Sequence, residues 1–436
     1  MRDAFLLAVL PFMLYAIARR PFIGLGLWIW TALFFPNGWV YGPAAAIRYN
    51  LLFAALAIFS YLTTRYKPRF AFSGTAFLVL LFFAWTTGST MTALGRPELA
   101  WEIWDRFMKV VVLFVFVLAI VDSKLHFDFF LGCVVLSVGF YADIEALKFL
   151  ASGGGHKIEG MAGHVLGDRN ELAVAFVMLL PICAYLLREY GKQSRALSIG
   201  LLGTIALTVV AIVGTQSRGG FIALLALGAY FFIKTDRKLL VTTMVAVLAL
   251  GVSQVATAEW LSRIDSINSA GKDASFMGRV VAWKLSMIMA MRHPFFGGGF
   301  KGLEYFPVWS SLSQDFFSYP WFYTGDALPD TEKARAAHSV YFQVLGDHGF
   351  FGLAIYLGIL VGAFRTAQRV ARRARAAASA QWIAQAATTL QLTLFAFCVG
   401  GAALSFAYFD LTFAIIALLI VLEKRILPRA LAEAPR

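Results

Sequence analysis

Charged residues are scarce in this chain. They make up 14% of its 436 residues, against about 25% in an average soluble domain. Hydrophobic residues make up 60%, and the mean hydropathy is +0.72. These figures exclude a soluble globular class and predict an integral membrane protein. The best-defined apolar segments run for about 20 residues, which is the length of a membrane-crossing helix and too long for the strands of an outer-membrane barrel.

Cysteine and the common cofactor motifs are also scarce. The three cysteines all lie inside apolar segments, namely Cys133, Cys183 and Cys398. They show no CxxC spacing, so neither a disulfide framework nor a zinc site is expected. The chain lacks a P-loop and a GxGxxG after a predicted strand, and residues 253–340 lack a DxD carboxylate pair. His156 and His164 flank Glu159, but this spacing fits no ligand pattern. We therefore expect neither a metal nor another cofactor.

The apolar segments predict an all-α polytopic membrane protein with about twelve transmembrane helices. They lie at 4–18, 22–36, 44–62, 70–88, 107–121, 127–143, 170–187, 196–213, 219–233, 239–256, 341–364, 389–407 and 411–422. Residues 4–36 predict either one broken helix or two short crossings, because Arg19-Arg20 interrupts them. Arg19-Arg20-Pro21 is also unlike a signal cleavage site, so no cleavable signal is expected.

Basic clusters occupy alternate connections between these segments, and the positive-inside rule assigns such connections to the cytoplasm. The net charge of +13 therefore reports orientation in the membrane rather than nucleic acid binding. The one long polar interval, 253–340, is then periplasmic. Its many aromatic residues predict a folded cap rather than a disordered loop. The chain divides into an N-terminal bundle (1–252), this cap (253–340), and C-terminal helices with a basic cytoplasmic tail (341–436).

Two arginines are candidate anion ligands. Arg218 lies in GTQSRGG at the predicted outer start of a helix. It fits either an arginine that reaches the lipid head groups or an anion site, because Gly219-Gly220 expose the N–H groups of a helix start. Arg279 is predicted at the N-terminus of a short interfacial helix, 279–291, with Trp283 on the same face. It either anchors that helix or adds a second guanidinium for a pyrophosphate.

A polar stripe follows the point where the cap re-enters the membrane. His338 is either a structural residue or a general base. Ser339, Gln343 and Asp347 follow at four-residue spacing, which places them on one face of a helix. Asp347 lies too far along that helix to orient His338, so we expect it to close a buried polar network instead.

Three other features carry weaker expectations. Asp168 or Asn170 is predicted to cap the helix near 170, which leaves Arg169 as a reserve phosphate ligand. Asp410 fits either a turn or an intramembrane carboxylate. The run Gly297-Gly298-Gly299, after His293-Pro294, is expected to give a flexible return from the cap helix.

This set of motifs resembles the O-antigen ligase and polymerase superfamily of bacterial inner-membrane glycosyltransferases. The resembling motifs are SRGG at 217–220, GR followed by Trp at 278–283, HPFFGGGF at 293–300 and HSVYFQVLGDHGFFG at 338–352. Family members usually carry a Glu nine residues after the His, and Asp347 takes its place here. The N-terminal half, with RPFIGLGLWIW and FPNGW, looks most like the O-glycosylation ligases associated with exosortase systems.

The resemblance implies transfer of a glycan from undecaprenyl pyrophosphate to an acceptor hydroxyl at the periplasmic face of the inner membrane, without a metal and with inversion. The residues that it would use are His338 as base, then Arg218, Arg279, Gly219 and Arg169 at the pyrophosphate, and Trp283, Ser339, Gln343 and Asp347 in support. Lipid A–core is the expected acceptor, and a protein hydroxyl or a growing glycan is the alternative. A transporter of lipid-linked glycans or anions is the rival class, and the oligomeric state stays open.

Overall fold

The computed structural model describes residues 2–234, 238 and 274–433. Every regular element in these residues is a helix, with no strand among them, which confirms the all-α class there. In chain order the helices are α1 (Arg2–Arg19), α2 (Pro21–Phe34), α3 (Tyr49–Thr63), α4 (Gly74–Met91), α5 (Pro97–Ile120), α6 (Lys124–Ala151), α7 (Arg169–Tyr190), α8 (Arg195–Gly214), α9 (Arg218–Lys234), α10 (Ala274–Arg292), α11 (Phe306–Ser313), α12 (Val340–Ala374), α13 (Gln381–Gly401), α14 (Asp410–Val421) and α15 (Leu427–Ala432). The predicted segment 239–256 and the front of the predicted cap, 253–273, lie outside the described residues.

Six helices in the described part of the chain are long and apolar enough to cross a membrane. They are α4, α6, α7, α8, α12 and α13, the last extended back to Ala378. Three shorter helices are also apolar, namely α2, α3 and α9. The chain is therefore a multi-pass membrane protein. The total of about twelve crossings stays a prediction.

Residues 4–36 form two helices, α1 and α2, and whether these make one crossing or two stays open. Arg20 separates them in an extended conformation, with φ −143°. Pro21 then takes the first position of α2, where its missing N–H would have had no partner inside the helix. Helix α2 packs against α3 and α6.

Polar side chains fix several helix starts. Ser73, Ser123 and Ser194 each accept the N–H of a residue in the first turn of α4, α6 and α8. At α7 the Asp168 Oδ1 accepts the N–H of Asn170 at 2.7 Å. Asp168, not Asn170, is thus the cap residue, and an oxygen in this position satisfies a helix N–H that otherwise lacks a partner. Asp410 is the first residue of α14, and whether it is an intramembrane carboxylate stays open.

The core of the bundle lies around α7 and α14. Every residue of 411–421 in α14 is buried, as expected for a helix that is apolar on all faces. Helix α13 packs against both α7 and α12, and α12 packs against α4. This arrangement brings the starts of α7, α9 and α12 to the same part of the molecule as the 402–409 loop, which joins α13 to α14.

Residues 274–339 have a hydrophobic cluster of their own, distinct from the bundle core. It is built on Leu285 of α10, Trp309 of α11, Phe316 and Ala337, all buried. Helix α10 begins at Ala274, so the predicted start at Arg279 was wrong and Arg279 lies in the second turn. Nothing in the preceding residues stops a helix, since a single glycine inside a helix is tolerated.

The glycine run 297–299 is held firmly, so the expected flexible return was wrong. Gly298 and Gly299 donate their N–H groups to the carbonyls of Gly346 and Asp347 at 2.8 and 2.9 Å. A Cβ on Gly297 would lie 2.6 Å from Gly346 O. Helix α12 breaks at Gly349, whose φ of +70° is in the region that favours glycine. The glycine run therefore supplies hydrogen-bond donors to the last carbonyls of the part of α12 that precedes Gly349.

The break at Gly349 gives a stability prediction. We expect Gly349→Ala to lower the melting temperature clearly, because a left-handed non-glycine residue costs about 1–3 kcal/mol and the new Cβ would lie 2.5 Å from Pro294 O. Gly200→Ala in α8 is the matched control, since its Cβ would meet nothing within 4 Å. Thermal unfolding of the purified variants in detergent measures both, and equal melting temperatures would contradict the prediction.

Candidate active site

His338 lies just ahead of α12 in an unusual backbone conformation. Its φ is +46°, in the left-handed region that non-glycine residues seldom adopt. Such strain persists only where the surroundings impose it, and it is concentrated at functional sites. The N–H of His338 donates to Ser405 Oγ at 2.9 Å. The residue is exposed, and among the described residues none hydrogen-bonds to its imidazole ring.

Three charged side chains act on this ring, namely Arg279, Asp168 and Glu304. Partial desolvation has the largest effect, and repulsion by the Arg279 guanidinium adds to it, so the pKa of His338 lies below its ordinary value. The two carboxylates oppose this shift. The imidazole is consequently neutral at pH 7 and able to accept a proton.

Trp283 connects α10 to the segment that carries His338. Its indole N–H donates to the Ala337 carbonyl at 2.7 Å. Its ring stacks on Phe342, with 5.2 Å between centroids and 9° between planes. Trp283 is half-buried and lies one helical turn after Arg279, as the sequence predicts.

Asp347 is buried in a polar network with Tyr408, His348 and Ser89. One carboxylate oxygen accepts the Lys301 N–H at 3.2 Å and the other accepts the Tyr408 hydroxyl at 3.0 Å. The Tyr408 oxygen is also 2.8 Å from His348 Nε2, and His348 Nδ1 is 2.9 Å from Ser89 Oγ. This is the buried network expected for Asp347. A network with paired partners at every step fixes α12 against α4 and the 402–409 loop.

The other members of the predicted stripe lie nearer to His338. Ser339 is buried and precedes α12 without a capping bond from its side chain. Gln343 accepts the N–H of Ala407 at 3.1 Å. Gln343 and Asp347 therefore both bind the 402–409 loop, as residues four apart on one helix face can do.

Arg218 begins α9, as predicted, and Gly219 follows in its first turn. A Cβ on Gly219 would lie 3.3 Å from the Ala403 Cβ. The start of α9 therefore packs closely against the 402–409 loop, whose Ser405 contacts His338.

The starts of α7 and α9 are also joined to each other. Ser217 Oγ donates to Asn170 Oδ1 at 2.8 Å. Arg169, the first residue of α7, and Arg218, the first of α9, thus stand at adjacent helix starts. Of the three predicted arginines, Arg279 acts electrostatically on the His338 ring.

Sequence reasoning missed several residues of this region. Tyr408 and Ser405 lie between apolar runs and carry no motif, so nothing in the sequence singles them out. Lys301 follows the glycine run, and its Nζ lies 3.3 Å from the Glu304 carboxylate. His348 follows Asp347 in the motif HSVYFQVLGDHGFFG. Its position beside a predicted site residue was therefore a signal that the sequence offered.

Side chains able to bind a metal do not cluster in the described ranges, where no group of three or more His, Cys, Asp or Glu occurs. His156 Nε2 lies 2.6 Å from the Glu145 carboxylate. His164 Nε2 lies 2.9 Å from the Ala32 carbonyl. Both histidines thus have partners other than Glu159.

A family model described as O-antigen ligase matches residues 203–357. The resemblance to the O-antigen ligase superfamily is confirmed. The matched range contains Arg218, Arg279 and His338 together with the whole polar stripe of α12.

The matched domain indicates a membrane glycosyltransferase of the O-antigen ligase or polymerase type. Lipid-linked glycan donors are what that family implies. A second model, described as a family of unknown function, matches residues 1–191. No curated protein matches the chain. The finer similarity to exosortase-associated ligases stays a prediction.

Proposed function

We propose that this protein transfers a glycan from undecaprenyl pyrophosphate to a hydroxyl of lipid A–core at the periplasmic face of the inner membrane. The observation that carries the proposal is the strained, exposed His338, with Arg279 near its ring. The helix start at Arg218 packs against the 402–409 loop, which also contacts His338. Strain retained at an exposed imidazole favours a chemical role over a structural one.

His338 is the proposed general base. It takes the proton of the acceptor hydroxyl while that oxygen forms a bond to the anomeric carbon. The bond from this carbon to the pyrophosphate oxygen breaks, and undecaprenyl pyrophosphate leaves with the electron pair. Attack from the side opposite the leaving group inverts the anomeric centre. The lowered pKa of His338 supports this role, because only the neutral ring accepts a proton.

Arg218 and Arg279 are the proposed pyrophosphate ligands. A guanidinium binds phosphate oxygens in a bidentate manner and stays charged at every relevant pH. The backbone N–H at Gly219 faces an anion at a helix start, and Arg169 stands at the adjacent one. Neutralising the leaving pyrophosphate stabilises charge that develops in the transition state. These residues supply that charge without a metal ion.

Trp283, Ser339, Gln343 and Asp347 are proposed to support the site. The hydrogen bond from Trp283 to Ala337 and the bonds of Gln343 and Asp347 to the 402–409 loop support this role. None of these side chains has to react. Trp283, Gln343 and Asp347 act on the backbone or the loop around His338, and Ser339 is buried next to it.

The proposed orientation predicts the outcome of cysteine labelling. In a variant without the native cysteines, we expect a Cys at Tyr323, which is 87% exposed in the cap, to react with a membrane-impermeant maleimide on whole spheroplasts. A Cys at Arg373, exposed near the end of α12, should react only after the membrane is opened. The opposite pattern would refute a periplasmic site.

The transfer reaction itself is tested with purified protein in nanodiscs. The donor is an undecaprenyl-pyrophosphate-linked glycan, and the acceptors are lipid A–core, a Ser/Thr peptide and a second lipid-linked glycan. We expect transfer to lipid A–core that persists in EDTA. Transfer to the peptide or to the second glycan alone would instead favour a protein O-oligosaccharyltransferase or a polymerase. Movement of the donor between leaflets without any transfer would favour a transporter and refute the proposal.

A further inference from the structure

One peptide bond of the site is held from both sides by distant side chains. The Ala337 carbonyl accepts the Trp283 indole N–H at 2.7 Å, and the N–H of the same peptide, on His338, donates to Ser405 Oγ at 2.9 Å. The described chain contains no cis peptide bond, so these two groups point in opposite directions. The two contacts therefore fix the plane of this peptide.

The orientation of this plane decides where the imidazole lies. Rotation of the 337–338 peptide about the His338 N–Cα bond changes φ, and the observed φ of +46° is strained. Without its two hydrogen bonds the peptide would relax towards an ordinary φ. The ring would then move relative to Arg279.

Ser405 is itself held in place, because the part of the 402–409 loop that follows it is bound to α12. Gln343 accepts the Ala407 N–H at 3.1 Å, and the Tyr408 hydroxyl donates to Asp347 at 3.0 Å. The side chain of Ser405 is only partly exposed. Its oxygen is thus a fixed acceptor rather than an adaptable surface hydroxyl.

We infer that Ser405 is a positioning residue that holds the His338 peptide, and through it the imidazole, in the orientation needed for proton transfer. The inference rests on the function proposed above and adds a residue that the transfer chemistry alone does not require. Ser405 acts through His338 and touches neither the leaving group nor the attacking oxygen.

The test compares Ser405→Ala with Ser405→Thr in the nanodisc transfer assay. We expect Ser405→Ala to lower kcat by about 10²-fold, the scale of loss that a misplacement of about 1 Å produces. Its KM for the lipid-linked donor and its melting temperature should stay near those of the wild type. Ser405→Thr keeps the hydroxyl and should restore most of kcat. Tyr341→Phe is the matched control, since it removes a bond from α12 to Cys398 O and leaves both hydrogen bonds of the 337–338 peptide in place.

Three results would overturn the inference. They are an unchanged kcat in Ser405→Ala, an equal loss in the Ala and Thr variants, and a raised KM with kcat unchanged. If Ser405→Ala does not fold, Trp283→Phe replaces it in the test. It removes the indole N–H that binds the Ala337 carbonyl, at the other side of the same peptide, and it should also lower kcat. An inactive His338→Ala beside a fully active Ser405→Ala would refute the positioning role alone, whereas an active His338→Ala would refute the proposed base.

Discussion

His338→Ala is expected to lower glycan transfer by about 10²–10⁴-fold, the usual contribution of general acid–base catalysis. Binding of the undecaprenyl-pyrophosphate-linked donor should persist, because the arginines and not the imidazole bind the pyrophosphate. Turnover, donor binding and the melting temperature are measured on the same preparation in nanodiscs. A structural histidine would instead give parallel losses of stability, binding and turnover.

His293→Ala is the matched control for this experiment. His293 is exposed at the end of α10, outside the contacts described around His338, and its variant should transfer glycan normally. A His338→Ala protein that is folded, binds donor and transfers at a rate comparable to His293→Ala would refute the base assignment.

The pH dependence follows from the sign of the His338 shift. Its pKa lies below the ordinary value of about 6.5, chiefly because of partial desolvation and then because of Arg279. The neutral, reactive ring therefore predominates already at lower pH than for a free imidazole. We expect kcat/KM to rise with pH, with the midpoint of the rise below about pH 6.5. A rate that falls as the pH rises, or a rise whose midpoint lies above that pH, would contradict a neutral imidazole base with a lowered pKa.

Arg218→Lys and Arg279→Lys form the second large prediction. Each keeps the positive charge and loses the planar fork that binds two phosphate oxygens. Each lost charge-assisted hydrogen bond costs about 1.5–3 kcal/mol, so we expect donor affinity and kcat/KM to fall by roughly tenfold to a hundredfold. Folding should be normal. Titration with the lipid-linked donor and steady-state transfer rates measure the two effects.

Arg292→Lys provides the control on the same helix as Arg279. Arg292 bonds to Asp315 and Ser311 in the cap, so Arg292→Lys removes the same planar fork at a position outside the contacts described around His338. Its activity should stay close to that of the wild type. Arginines that merely contact lipid head groups would tolerate lysine equally well, so wild-type rates in all three variants would refute the pyrophosphate assignment.

The sequence predicted helices, helix caps and helix faces well, because these depend on residues that are close together in the chain. Apolar runs predicted the helices on either side of Arg20. Polar residues near 170 predicted a cap at Asp168 or Asn170, of which Asp168 is the one observed. Four-residue spacing predicted the buried Asp347. Each of these depends on residues within about one or two helical turns.

Contacts between distant parts of the chain were beyond such reasoning. Ser405 contacts a residue 67 positions away, and Ser89 lies 259 positions from His348. The firm packing of Gly297 against Gly346 is equally non-local. A glycine run is compatible with flexibility or with close packing, and only the neighbouring backbone decides between them.

The break at Gly349 has an electrostatic consequence for the site. Because α12 is interrupted there, its first part, which starts at Val340, is a separate helix whose carbonyl end is satisfied by Gly298 and Gly299. Its peptide dipoles sum towards the opposite end, so a partial positive charge lies at the start of the helix beside His338. That charge disfavours an imidazolium and favours a nearby phosphate. A discontinuous helix would thus offer its positive end to the proposed pyrophosphate, as broken helices do for anionic substrates in membrane transporters.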